Sequence, residues 1–109
     1  MNRKLTPHVI HKQPISIAGA GAGNPIRVRM NFMARSLSVG VQNGHLMLWY
    51  ETPEYFEESV MYDRAIWCIG TGWQLPEGSL RFLNTIQDGE FVWHFFEGAL
   101  LEPAARQGG

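Results

Sequence analysis

The chain has 109 residues, enough for one domain with its own apolar core and too few to suggest two. Nine basic and ten acidic residues leave a formal net charge of −1, which removes the general electrostatic attraction behind non-specific nucleic-acid binding. A single cysteine, Cys68, excludes an intrachain disulfide and a cysteine-rich zinc site, and apolar runs such as Ala65–Ile69 fall far short of the roughly 20 residues that span a bilayer as a helix.

Residues 1–25 read as an extended arm. Met1–Thr6 is polar and basic and holds no apolar core of a secretion signal. His8–Ala18 follows as a broken strand, with Pro14 restricting it to a sheet edge or a strand start, and the Gly/Ala-rich run Gly19–Asn24 reads as a connector. Residues 26–97 carry the pattern of a β domain. In Ile26–Phe32 the apolar set Ile26, Val28, Met30 and Phe32 interleaves with Arg27, Arg29 and Asn31, as in a strand with one wet face.

Leu37–Tyr50 holds the clearest structural instruction, because Asn43-Gly44 stands between two alternating apolar runs. A type I′ turn there pairs Val41 with Leu46, Val39 with Leu48 and Leu37 with Tyr50, putting six apolar side chains on one face. The other face pairs Gln42 with His45, Gly40 with Met47 and Ser38 with Trp49. Large side chains over small ones make Trp49 and Met47 candidate docking anchors.

After Tyr50, Pro53 and four glutamates (Glu51, Glu54, Glu57, Glu58) predict an exposed acidic loop. Val60–Ile69 is β-branched and aromatic, a strand covered on both faces and central in its sheet. Gly70-Thr71-Gly72 and Pro76-Glu77-Gly78 bracket Trp73 in a loop. A second hairpin is predicted about Asp88-Gly89, pairing Ile86 with Phe91, Asn84 with Trp93 and Phe82 with Phe95. With Leu80, this face is expected to close over the first hairpin and bury Leu37, Val39, Val41, Leu46, Leu48, Phe82, Ile86, Phe91, Trp93 and Phe95. Gly98 is expected to stop the strand, leaving residues 98–109 as a tail. No window keeps a sustained helical apolar period. The expected fold is all-β: a single small antiparallel sandwich or partly open barrel of about five to six strands built on two tight hairpins.

Candidate chemistry is sparse. The Ala18–Asn24 run lacks the Lys-Ser/Thr of a phosphate loop, and no helix follows it. Cys68 sits in an apolar strand, where thiols pack and do not attack. His8 and His11 have ligand spacing only on a helix, which Pro7 and Pro14 oppose. Glu57 and Glu58 are adjacent, so their side chains diverge. The predicted register leaves His94 on a mixed face with Arg81, Thr85, Glu90 and Phe96, and this face, together with the Trp73 loop, is the candidate binding surface. The candidate contact residues are therefore Trp49, Met47, Trp73, His94, Phe96 and Arg81, with no catalytic residue, metal or cofactor expected.

Ser38-Val39 with Val41-Gln42-Asn43-Gly44, Leu48-Trp49, Gly70-Thr71-Gly72, Leu75-Pro76, and Phe91-Val92-Trp93-His94 with Glu97 form an ordered set. Across residues 11–97 this set resembles a family of small uncharacterised bacteriophage proteins. Where that family shows GTGH this chain has Trp73, and Gln87-Asp88-Gly89-Glu90 replaces a QQGP turn while keeping its glycine. The resemblance implies a phage origin and a compact fold, and says nothing of catalysis. The expectation is a non-enzymatic phage accessory protein that binds a host protein, itself or a small metabolite in the host cytoplasm. The alternative is a minor structural or decoration component of the virion. No nucleic-acid or membrane partner is expected.

Overall fold

A computed structural model describes residues 7–18, 20, 23–55 and 61–102. The expectations placed on Met1–Thr6, Glu57, Glu58 and the tail beyond Glu102 lie outside the described residues. Seven strands are described: β1 (His8–Pro14), β2 (Ile26–Asn31), β3 (Arg35–Gln42), β4 (His45–Pro53), β5 (Met61–Gly70), β6 (Arg81–Asp88) and β7 (Phe91–Leu101). They form two antiparallel sheets, β1-β4-β3 and β2-β5-β7-β6, so the chain is all-β as its alternation predicts, with more strands than expected. The arm supplies β1, an edge strand ending at Pro14. β5 is interior in its sheet. The predicted acidic loop begins later than expected, because β4 runs through Glu51 to Pro53. β7 continues through Gly98 to Leu101.

The first hairpin turns as read. Asn43 and Gly44 both have positive φ, 53° and 79°, as a type I′ turn requires, and Val39 pairs Leu48 while Val41 pairs Leu46. The outer end of the register differs. A bulge at Leu37 brings Ser36, not Leu37, opposite Tyr50, and both are buried.

The second hairpin turns one residue later than predicted. Asp88 pairs Phe91, so the loop is Gly89-Glu90; Gly89 has φ 62° and Glu90 has no positive φ, the pattern of a type II′ turn with glycine first. Ile86 therefore pairs Trp93, and Asn84 pairs Phe95. A bulge at Leu83 then shifts the strand again, pairing Phe82 with Phe96 and Arg81 with Glu97.

These shifts decide which expected core residues are covered. Val39, Leu48 and Phe95 are buried, joined by Val28, Met30, Ile66 and Cys68 of sheet β2-β5-β7-β6. Full burial of a side chain such as Leu48 or Phe95 contributes about 1.5–3 kcal/mol. Leu37, Leu46, Ile86 and Trp93 are half-buried. Phe82, Val41 and Phe91 are exposed, contrary to expectation. The Leu83 bulge turns Phe82 outward against Phe96, with ring centroids 5.4 Å apart. Val41 and Phe91 stand beside the two turns, at the rim of the facing sheets.

Polar groups stitch the sheets together. The Asn84 amide donates to the Val39 carbonyl at 2.7 Å and accepts from the Val39 N–H at 2.8 Å. Nearer the other end, Glu97 accepts from the Ser36 N–H at 2.8 Å and from Arg81 Nη2 at 2.8 Å, with Arg64 Nε at 3.6 Å. Arg81 also donates to the Ser36 carbonyl. Because Asn84 meets Val39 and Arg81 meets Ser36, β3 and β6 run side by side in the same direction, and both hairpin turns fall at one end of the sandwich.

Candidate functional site: an aromatic mouth at the hairpin end

The two sheets part at the end that carries both turns. Ile17, Val41, Leu46, Ile86 and Trp93 line a cleft of about 180 Å³ there, walled on one side by Gln87 and Asp88. Trp93 separates it from a second depression of about 420 Å³, lined by Gly70, Thr71, Trp73, Glu90, Phe91 and Val92. Trp73 in turn divides this from a third, of about 450 Å³, against Trp67, Ile69, Leu75 and Pro76. The three depressions thus follow one another as a strip around this end, each indole shared by two of them, from the gap between the sheets to the outward face of β5 where Trp67 and Ile69 stand.

Strand alternation builds the strip. Phe91 and Trp93 are two apart on β7 and so project from the same face; their rings lie nearly parallel, 15° apart, with centroids at 5.8 Å. Trp73 is brought in by the turn Gly70–Trp73, closed by the Trp73 N–H to the Gly70 carbonyl at 3.1 Å. Its ring meets Trp93 edge to face at 5.8 Å and 76°. Gly70 makes the approach possible, since a Cβ there would stand 2.8 Å from the Trp73 ring. Phe91 is 62% exposed and Trp73 47%, which is a large apolar area for adjacent side chains to leave open.

The expected contact residues fall into separate places. Trp73 lies in the strip. His94 stands on the outward face of β7, each ring nitrogen 2.9 Å from a threonine hydroxyl, Thr71 and Thr85, so both nitrogens are occupied. Phe96 shares that face with Phe82. Arg81 does not: the one-residue bulge at Leu83 reverses the alternation and turns it to the inner face, where it pairs Glu97. Trp49 and Met47 stand on the outward face of the smaller sheet, and both are half-buried. The small partners do not leave Trp49 uncovered, because its ring lies across Gly40, within 3.0 Å of where a Cβ would be.

Phe91 and Trp93 were both assigned to the core by their alternation: Trp93 does pack against it and is half-buried, whereas Phe91 is exposed. Their proximity to a two-residue turn was the available signal, because side chains at a hairpin tip extend past the sheet they pack on. Other candidates are chemically quiet. Burial pushes the Cys68 thiol up to about 11, leaving little thiolate for attack. His8 and His11 lie three apart on a strand, which sends them to opposite faces. Burial alone would raise the Glu97 pKa, but the Ser36 hydroxyl and N–H and the Arg81 and Arg64 guanidinium groups hold it below the ordinary value. Of the two Ser36 groups the N–H makes the hydrogen bond, at 2.8 Å, while the buried hydroxyl has no partner of normal geometry. This carboxylate is a structural clamp between the sheets.

Among known proteins, a family described as a domain of unknown function (DUF7352) matches residues 6–106. No curated protein and no solved structure matches the chain.

Proposed function

The chain belongs to the DUF7352 family, and from the geometry of its open end we propose that it is a non-catalytic binding domain that captures a protein partner in the aromatic mouth. The observation that carries this reading is the file of Phe91, Trp93 and Trp73, ring against ring, with its outer members exposed and apolar depressions on either side. Clustered, partly open aromatic side chains with polar neighbours are the usual composition of an interface hot spot. The occupied His94 nitrogens and the buried Cys68 thiol favour binding over chemistry. The resemblance of its sequence motifs to small bacteriophage proteins supports a phage origin, and within this proposal the domain acts as an accessory protein in the host cytoplasm.

A library of small fragments and blocked peptides, screened by ¹H–¹⁵N NMR of the folded protein, tests this reading. Hits are expected to move the indole resonances of Trp73 and Trp93, and Phe91→Ser is expected to abolish them without lowering the melting temperature by more than a few degrees. A library whose hits cluster elsewhere, or that yields none, overturns the reading.

A second reading, self-association as in a virion component, is favoured by β1. This edge strand has no neighbour on its outer side among the described residues and carries Ile10 at 64% exposure. Sedimentation should then show association that Ile10→Lys removes. A monomer at about 100 μM, well above the dissociation constants of standard interfaces, counts against it.

A further inference from the structure

Within the binding reading, on which this inference rests, we propose that the mouth takes an arginine side chain from an extended, apolar-flanked segment of the partner protein. The charge at the mouth is negative. The strip of three depressions is lined by two carboxylates, Glu90 and Asp88, and among the described residues by no lysine, arginine or histidine. Neither carboxylate has an ion-pair or hydrogen-bonding partner among the described residues. Of the nearby bases, Lys12, opposite Trp49 and bonded to Gln42, and His45, opposite Gln42, stand on the outward face of the smaller sheet, and His94 stands on the outward face of β7 with both ring nitrogens bonded to Thr71 and Thr85.

The rings add attraction of the same sign. The face of an indole or phenyl ring is the negative side of its quadrupole, and a cation over it is favoured, most of all over tryptophan. The 420 Å³ depression is lined by Trp73, Trp93, Phe91 and Glu90, so aromatic rings and a formal negative charge border one space. An anionic partner, including the phosphates of a nucleic acid, meets repulsion at the same place.

The shape selects among cations. A guanidinium is flat, stacks on rings and still directs N–H groups at a carboxylate in its plane, which a compact ammonium does less well. The depressions on either side, at about 180 and 450 Å³, are mainly apolar and adjoin the first across the Trp93 and Trp73 rings. They suit the neighbours of the arginine on an extended chain, whereas a free small amine would leave both empty.

The test uses two blocked pentapeptides, Gly-Val-Arg-Val-Gly and the same sequence with citrulline, which keeps the shape and removes the charge. The readout is the Trp73 and Trp93 indole N–H resonances of the intact protein. The arginine peptide is expected to move both saturably, and the citrulline peptide to bind about tenfold more weakly. Glu90→Gln, an exposed change in a turn, should weaken the arginine peptide about fivefold and leave the citrulline peptide unaffected. Tetramethylammonium alone should move the same two resonances at millimolar concentration. Equal affinity for the two peptides overturns the cation assignment and leaves the mouth as an apolar binding site. If neither peptide moves the indoles while other library members do, the arginine assignment fails alone; if nothing moves them, the binding reading fails with it.

Discussion

A methyl group at position 70 would stand 2.8 Å from one atom of the Trp73 ring and 3.1 Å from two more, so the hydrogen of Gly70 is what seats that indole in the mouth. The backbone there is ordinary strand, which alanine accepts. Gly70→Ala should therefore leave the fold intact, with a melting temperature within a few degrees of the parent, while displacing Trp73. The check is tryptophan fluorescence, which should shift to the red, together with loss of ring-current shifts on Trp93. An unchanged spectrum would show that the ring does not depend on Gly70. Glu97 is the opposite case, a residue whose chemistry serves stability. Its carboxyl is held below its ordinary value in the folded chain, so its stabilising contribution is fully present above the ordinary glutamate range and is lost as pH falls through the lower folded value. Glu97→Gln should flatten that acid limb of the stability curve and cost roughly 3 kcal/mol, the lower end of the range for breaking a buried pair, because Arg81 is 37% exposed and can rehydrate. Urea denaturation at several pH values reads both effects.

The hairpins show which local instructions can be read from a sequence and which compete. Asn43-Gly44 offers one good placement of two positive-φ residues, and the turn forms there. Gln87-Asp88-Gly89-Glu90 offers two: Asp88-Gly89 as type I′, or Gly89-Glu90 as type II′, and the chain adopts the second. The choice moves the pairing by one residue, so Ile86 meets Trp93 instead of Phe91. It can be tested directly. Gly89→Ala should cost about 1–2 kcal/mol, since it forces a side chain to a φ of 62°, whereas Asp88→Val, in a strand position, should change stability by no more than about 0.5 kcal/mol. A type I′ turn on Asp88-Gly89 would make both costly. The bulge at Leu37 was not legible, because Ser36-Leu37-Ser38-Val39 still alternates, and the one at Leu83 showed only as a break in alternation, Phe82-Leu83 followed by Asn84-Thr85, that does not tell which residue is the extra one. Their effects on the candidate site are large: one turns Phe82 outward beside Phe96, and the same one turns Arg81 inward to Glu97.

At the scale of the whole molecule, two sheets meet through an apolar centre and a few polar stitches. Asn84 is the stitch whose loss is simplest to interpret. Its amide satisfies both the N–H and the carbonyl of Val39 across the sheet interface, and Asn84→Ala leaves both without that partner. The expected cost is about 1–3 kcal/mol for each group left dry, read by chemical denaturation, and a cost near zero would mean that water replaces the amide. The class of fold, the interior place of β5 and the edge place of β1 followed from alternation, Pro14 and an unbroken apolar run. The parting of the sheets at one end did not, because it depends on how far two hairpins overhang each other, a distance that no periodicity encodes. That parting has a directional consequence. The first and last described residues, Pro7 and Glu102, are tied to Glu54 and Arg27, at the end opposite the turns and separated from Phe91 by the length of β7, about 35 Å at the usual strand rise. A sensor chip, a bead or a fused fluorescent protein joined through either side of this segment would hold the molecule by its foot, with Phe91 and Trp73 facing the solution.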